Sequence, residues 1–133
     1  MKHETVTNVR FCETDAAGHV NNTSYFIYLE EARGKFFQSI LKDYQTFGRF
    51  IIASTHCDFV SQAYYNQELV ISTWISKIGN KSFQFKHEIR AKDSDTLIAA
   101  AGAAIVYFNY KEQTSEPIPA EFRKLLEGQL VAS

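Results

Sequence analysis

Only one stretch of this chain carries the period of a long helix, and it lies between a first strand and four long stretches that carry the period of strands. From residue 22 to about 47, Tyr25, Leu29, Ala32, Phe36 and Ile40 recur every three or four positions, with Phe26, Phe37, Leu41 and Tyr44 beside them. That spacing gathers the apolar side chains onto one helical face. Glu30, Glu31, Arg33, Lys35, Gln38, Lys42 and Asp43 are assigned to the opposite, wet face, where Glu31 and Lys35 stand four apart in the favourable order. Gly34 in mid-helix lowers helix propensity by roughly 1 kcal/mol relative to alanine, so we expect it to mark a close contact with a sheet.

The strand period runs over 4–12, 50–62, 67–78, 81–92 and 95–109, with turns at 63–66, 79–80 and 93–95. Over 82–90, Phe83, Phe85, His87 and Ile89 alternate with Gln84, Lys86, Glu88 and Arg90, which predicts one core face and one wet face. The stretch 97–108 is apolar on both faces with small residues at its centre, so something bulky is expected to lie across it. Pro119 suits the start of a short closing helix over 120–127, with Gly128 as its stop. One long helix after the first strand, followed by four long antiparallel strands, gives an α+β layer fold in which the sheet wraps the helix.

Composition excludes several alternatives. The 133 residues suffice for one domain with one core, and the net charge of −1 gives no general case for nucleic acid or an anionic membrane as partner. No run of eighteen apolar residues occurs, and the N-terminus lacks the apolar stretch of a signal peptide. The expectation is a soluble, cytoplasmic protein. Cys12 and Cys57 lack CxxC spacing and are read as reduced, partly buried strand residues. His56 and Cys57 are strand neighbours on opposite faces, so His56-Cys57-Asp58 is not a nucleophilic set. His3, His19, His56 and His87 show no metal-ligand spacing, so no metal is expected.

Residues 13–25 read Glu-Thr-Asp-Ala-Ala-Gly-His-Val-Asn-Asn-Thr-Ser-Tyr. A strand ends just before them, a glycine-containing turn follows, and the long helix opens at Asn21 or Asn22. Asp15 therefore faces helix-opening N–H groups, which have no intrahelical partner and attract negative charge. Spacing alone leaves two roles open: Asp15 satisfies turn N–H groups while Asn21 or Asn22 caps the helix, or Asp15 is a reactive carboxylate beside an oxyanion-binding helix terminus.

The motif formed by Asp15, Gly18, His19, Val20, Asn21, Asn22 and Tyr25, together with the order of elements, resembles the hotdog-fold thioesterases of the hydroxybenzoyl-CoA thioesterase type. In those proteins Asp-x-x-Gly-His-Val-Asn-Asn-x-x-Tyr precedes the central helix. The resemblance spans essentially the whole chain, 1–133, as a single hotdog domain with a long antiparallel sheet wrapped around one central helix. It implies hydrolysis of acyl-CoA thioesters to free acid and CoA without metal or organic cofactor. Asp15 would be nucleophile or general base, and the N–H groups of Gly18 and Asn22, or of their close neighbours, would polarise the thioester carbonyl. Two readings of His19 stay open beside this: a structural turn histidine, or a group that bonds that carbonyl or a water. Homodimers or homotetramers with the site at the subunit boundary are also implied.

Hydrolysis of a thioester passes through a tetrahedral oxyanion, and one preorganised donor is typically worth about 3 kcal/mol there. The motif also resembles plant acyl-carrier-protein thioesterases, but Ala17 stands where those have a site asparagine. Hotdog hydratases and dehydratases place aspartate and histidine five apart in Asp-x-Asn-Pro-x-His; here Asp15 and His19 are four apart without that asparagine or proline. A non-catalytic acyl-thioester-binding module is the third alternative. Tyr25, Phe26, Leu29 and Phe59 are candidate walls for the acyl group. Among Lys77, Lys81, Lys86, Arg90 and Lys92, the turn residue Lys81 with neighbouring Ser82 is the candidate contact for an anionic carrier.

Overall fold

The structure, a computed structural model, describes residues 2–41 and 49–131. Its elements run β1 (His3–Asn8), a single 3-10 turn (Phe11–Glu13), α1 (Asn22–Ile40), β2 (Phe50–Phe59), β3 (Glu68–Ile78), β4 (Ser82–Ala91), β5 (Leu97–Asn109), β6 (Thr114–Ser115) and α2 (Ala120–Gln129). The sheet order is β1-β3-β4-β5-β2, with β6 added to β5, and every pairing is antiparallel. β1 and β2, the strands on either side of α1 in sequence, occupy the two ends of that order. The helix between them therefore crosses the face of the sheet.

The periodic residues behave as read. Tyr25, Tyr28, Leu29, Ala32, Phe36 and Phe37 are buried on α1, and Phe83, Phe85, His87 and Ile89 face them from β4. On β5 the small inward residues Ala99, Ala101 and Ala103 are also buried, which gives the helix room to lie close to the sheet. The outer face of the same strands carries Ala100, Gly102 and Ala104 at the floor of a shallow trough walled by Ser54, His56, Asp58, Gln84, Lys86 and Glu88. An added Cβ at Gly102 would come within 2.5 Å of His56 Cε1, so the imidazole lies directly over that glycine. Cys57 packs instead against the core, where burial pushes its thiol up to about 11.

The core divides into two clusters along α1. One, at the start of the helix, joins Tyr25, Tyr28, Leu29 and Ala32 to Val9, Ala63, Leu69, Ile71, Ile89 and Ile98. The other, toward its end, joins Phe36 and Phe37 to Phe83, Phe85, Ile105 and Tyr107, closed from α2 by Leu126 with Phe122 beside it. Rings there meet mostly edge to face, as Phe36 does with Phe85 at 5.1 Å between centroids, an arrangement that adds about 1 kcal/mol per pair beyond burial.

Arg33 corrects the sequence reading. It was assigned to the wet face, yet it is only 6% exposed. Its Nη1 lies 3.4 Å from His87 Nε2, and His87 Nδ1 lies 3.0 Å from Thr73 Oγ1. With an always-cationic guanidinium donating to Nε2, the ring is the neutral tautomer whose Nδ1–H donates to Thr73. Burial, and then the Arg33 charge, push the His87 pKa down to about 3. Burial lowers the Arg33 pKa in turn, while Glu30 acts in the opposite sense.

Other expectations shift at their edges. α1 ends at Ile40, and Leu41 caps it in an extended conformation; the remainder of the expected helix, including Lys42, Asp43 and Tyr44, falls in residues 42–48, outside those described. Gly34 does not touch the sheet: a Cβ there would meet nothing within 4 Å. It borders a cavity of about 450 Å³ that Ile27, Phe37, Phe50, Ile52 and Ile105 also line. β1 stops at Asn8, and Cys12 sits exposed in the 3-10 turn rather than in a strand. β2 stops at Phe59 because Val60 and Ser61 both turn their N–H groups to the carbonyl of Ile98. α2 passes through Gly128 to Gln129, and Pro119 is its N-cap. The short strand β6 carried no sequence signal. The Glu31–Lys35 pair forms at 3.1 Å, half exposed.

Candidate active site

The turn between the first strand and α1 is built from hydrogen bonds that the sequence names. Thr14 pairs with Val20 as an isolated antiparallel bridge, and Asp15 N–H donates to His19 O at 2.8 Å. Gly18 takes φ of +82°, a conformation that favours glycine. Its N–H donates to Asp15 O at 3.0 Å. The side chain of Asp15 folds back over the same turn: Oδ1 accepts from Ala17 N at 2.9 Å and from His19 N at 3.3 Å. Both bonds use Oδ1, and Oδ2 accepts none among the described residues.

The helix then opens as capping rules require. Asn21 is the N-cap, and its Oδ1 accepts from Thr23 N at 3.1 Å, while Asn21 O accepts from Ser24 N. Asn22, the first helical residue, is exposed, and its N–H makes no hydrogen bond among the described residues, as is ordinary for a first-turn donor. Asp15, His19, Val20, Asn21, Asn22 and Tyr25 share one cleft of about 530 Å³ with Phe59, Val60, Ser61 and Gln62. A carboxylate and a helix terminus thus face one concave space. His19 lines it with its ring set edge-on to Tyr64, 5.1 Å between centroids.

Not every candidate reaches this cleft. Tyr25 and Phe59 do, with rings 5.2 Å apart. Leu29 is fully buried and belongs to the core, and Phe26 packs against that same core. Neither lines the cleft. The Gly18 N–H is already engaged by the Asp15 carbonyl, which leaves Asn22 as the open donor of the expected pair. Lys81 and Ser82 lie elsewhere: Ser82 pairs with Val106, while Phe59 pairs with Ala99, seven residues away along β5. That is about 23 Å at the rise of a strand. Within one chain these two residues do not meet the cleft.

Sequence reasoning missed the walls that follow β2, Val60 to Gln62, because long-range pairings carry them to the helix terminus: β2 on β5, and then Ala63 O accepting from Val20 N and Tyr64 bridging His19. It also passed over Glu13. That residue is 6% exposed, with Oε1 accepting from Arg10 N and Tyr28 Oη, both at 2.8 Å. Oε2 accepts from Arg10 Nε at 3.1 Å and Nη2 at 2.6 Å. Burial raises the Glu13 pKa, but the bonds from Arg10 and Tyr28 outweigh it and hold the carboxyl below the usual range. Burial, then Glu13, push the Tyr28 hydroxyl upward. The available signal was Arg10 three residues before Glu13, a spacing that permits one local pair.

A single helix crossing a long antiparallel sheet, with its N-terminus opening onto a cleft, is the hotdog architecture. The sequence profile of the thioesterase-like superfamily matches residues 9–126, and the chain belongs to that family as a hotdog-type thioesterase. It is similar to a predicted thioesterase from Bacillus stearothermophilus, with a TM-score of 0.90 and 31% identity over 100% of this chain and 99% of that one. It is similar also to a thioesterase from Thermus thermophilus solved with coenzyme A and Zn, with a TM-score of 0.83 and 25% identity over 92% and 95% of the two chains. A putative esterase of Aquifex aeolicus (strain VF5) is 27% identical over 90% of this chain and 93% of its own. The uncharacterized protein YsmA of Bacillus subtilis (strain 168) is 38% identical over 56% of this chain, a match spanning 52% of that protein. No helix among the described residues is long and apolar enough to cross a membrane.

Proposed function

We propose that this chain hydrolyses acyl-CoA thioesters to free acid and CoA, with Asp15 as the reacting carboxylate and the start of α1 as the oxyanion-binding element. The observation that carries the reading is the sharing of one cleft by Asp15, whose Oδ2 is open, and the unbonded Asn22 N–H. The coenzyme A in the Thermus thermophilus thioesterase favours that carrier.

In this reading the thioester carbonyl points at the first turn of α1, where the N–H dipoles favour the negative charge that develops on its oxygen. Oδ1 is held by two turn N–H groups, so Oδ2 is the oxygen aimed at the reacting carbon. Oδ2 either attacks that carbon, forming an anhydride as the thiolate leaves, which water then cleaves to the free acid and the restored carboxylate, or takes a proton from an attacking water and returns it to the leaving thiolate. Tyr25 and Phe59 form the apolar wall for the acyl group, and His19 contributes a donor at the rim. Among the described residues no strand pairs with the edge of β2 away from β5, and Ser54, Thr55 and His56 on it are exposed. An unpaired edge of that length suits pairing with a second copy, giving the homodimer or homotetramer expected of a cytoplasmic enzyme of this type.

The test is release of free thiol from a panel of aliphatic and aromatic acyl-CoAs. Asp15→Ala should lower the rate by two decades or more. Turnover equal to that of the parent protein would remove Asp15 from the reaction.

A further inference from the structure

The bonds that shape the Asp15 turn are largely internal to it: Ala17 and His19 hold Oδ1, and Asp15 and Gly18 close the backbone, while Val20 N–H donates to Ala63 O at 2.8 Å and His19 bridges Tyr64, which ties the turn's far end to the loop after β2. They fix the turn's own shape and its hold on that loop. The tie to the body of α1 comes from the residue at the turn's entrance. Glu13 O accepts from Asn21 N at 2.8 Å and from Ser24 Oγ at 3.1 Å, which ties the entrance to the N-cap and first turn of the helix. Its carboxylate meanwhile receives four donors, three from Arg10 and one from Tyr28. Tyr28 lies six residues into the helix from Asn22 and is buried.

We infer that Glu13 is a positioning residue: it clamps the segment entering the turn to the body of α1, and so sets Asp15 against the Asn22 N–H. The inference rests on the hydrolytic reading given above. A buried carboxylate needs its donors, and here each oxygen has two. Substitution by glutamine keeps the shape, yet its NH₂ must face either the guanidinium or the Arg10 N–H, both of which only donate. The clamp loosens while the turn's internal bonds stay available. Because an oxyanion site loses rate steeply with small misplacement, the loss should fall on turnover rather than on binding of the carrier.

The experiment compares Glu13→Gln and Tyr28→Phe in the full chain and in the Asp15→Asn background, by thiol release from the best acyl-CoA of the panel. Glu13→Gln should lower kcat tenfold or more with KM changed less than about threefold, and should have no further effect on kcat once Asp15 is replaced, the non-additivity of residues acting through one another. Tyr28→Phe should show the same pattern at smaller amplitude, and serves where Glu13→Gln does not fold. Equal losses in both backgrounds would overturn the inference, since they would mark a general loss of folded protein. Amide hydrogen exchange gives a reading independent of turnover: residues 14–21 should exchange at least tenfold faster in Glu13→Gln, with β3 and β4 unchanged. Faster exchange in a chain that cleaves no acyl-CoA would keep the clamp and discard the hydrolytic reading; unchanged exchange would discard the clamp.

Discussion

The two ends of α1 are built to opposite plans. At its C-terminal end Phe36 and Phe37 interlock with Phe83 and Phe85, closed over by Leu126 of α2. At its N-terminal end the exposed Asn22 and half-buried Asn21 border a cleft whose opposite wall is a run of loop, Val60 to Gln62. One end spends its side chains on excluding water; the other leaves a carboxylate and a helix dipole accessible. The segregation is confined to the helix's opening, since Tyr25, Tyr28, Leu29 and Ala32 pack a core of their own just behind it; at that opening the site keeps unbonded polar groups that a core would not tolerate.

The largest effect that probes this segregation lies at the closed end. Phe85→Ala should cost about 3–5 kcal/mol of unfolding free energy, read by chemical denaturation, while the folded fraction keeps its turnover per site. A loss of turnover in fully folded Phe85→Ala would show that the two ends are coupled. Next in size is the polar pair between them. His87 is neutral in the fold with a pKa near 3, against about 6.5 when unfolded. Its contribution is complete above pH 6.5 and is lost as pH falls toward 3, because the unfolded chain takes up the proton first. Between pH 7 and pH 4 the parent should lose about 3 kcal/mol more stability than His87→Gln; parallel pH profiles would mean that the buried imidazole is readily protonated. Smallest is Gly34, at mid-helix beside open space. Gly34→Ala should stabilise by about 0.5–1 kcal/mol, and a destabilised variant would contradict the open space beside it.

Much of this plan is legible in the sequence where position and residue type agree. The alternation over 82–90 identifies the inner face of β4, and the helical spacing from Tyr25 to Phe36 identifies the face that meets it. Legibility fails where type and position conflict. Arg33 stands four residues after Leu29 and three before Phe36, an inward position, but its charge argues for the wet face; it is His87, brought over from β4, that gives the guanidinium an interior partner. Glu13 fails for the same reason, since its burial depends on Tyr28, fifteen residues away in sequence. At the site, Asp15, His19, Asn22 and Tyr25 are local to one motif and could be read together. Val60, Ser61 and Gln62 reach them through the register of β2 on β5 and through the bonds of Ala63 and Tyr64 to Val20 and His19, and the separation of Lys81 and Ser82 from the cleft follows from the β5 register.

The central claim is that the carboxylate of Asp15, at the open end of α1, serves the reaction beyond its share in holding the turn. Asp15→Asn tests it most directly, because an asparagine Oδ1 can still accept from Ala17 and His19 while the reacting carboxylate is gone. Thiol release and thermal melting measured on the same preparation should show turnover reduced by two decades or more at an unchanged melting temperature. Full turnover in that variant, or a melting temperature that falls along with the rate, would contradict the account.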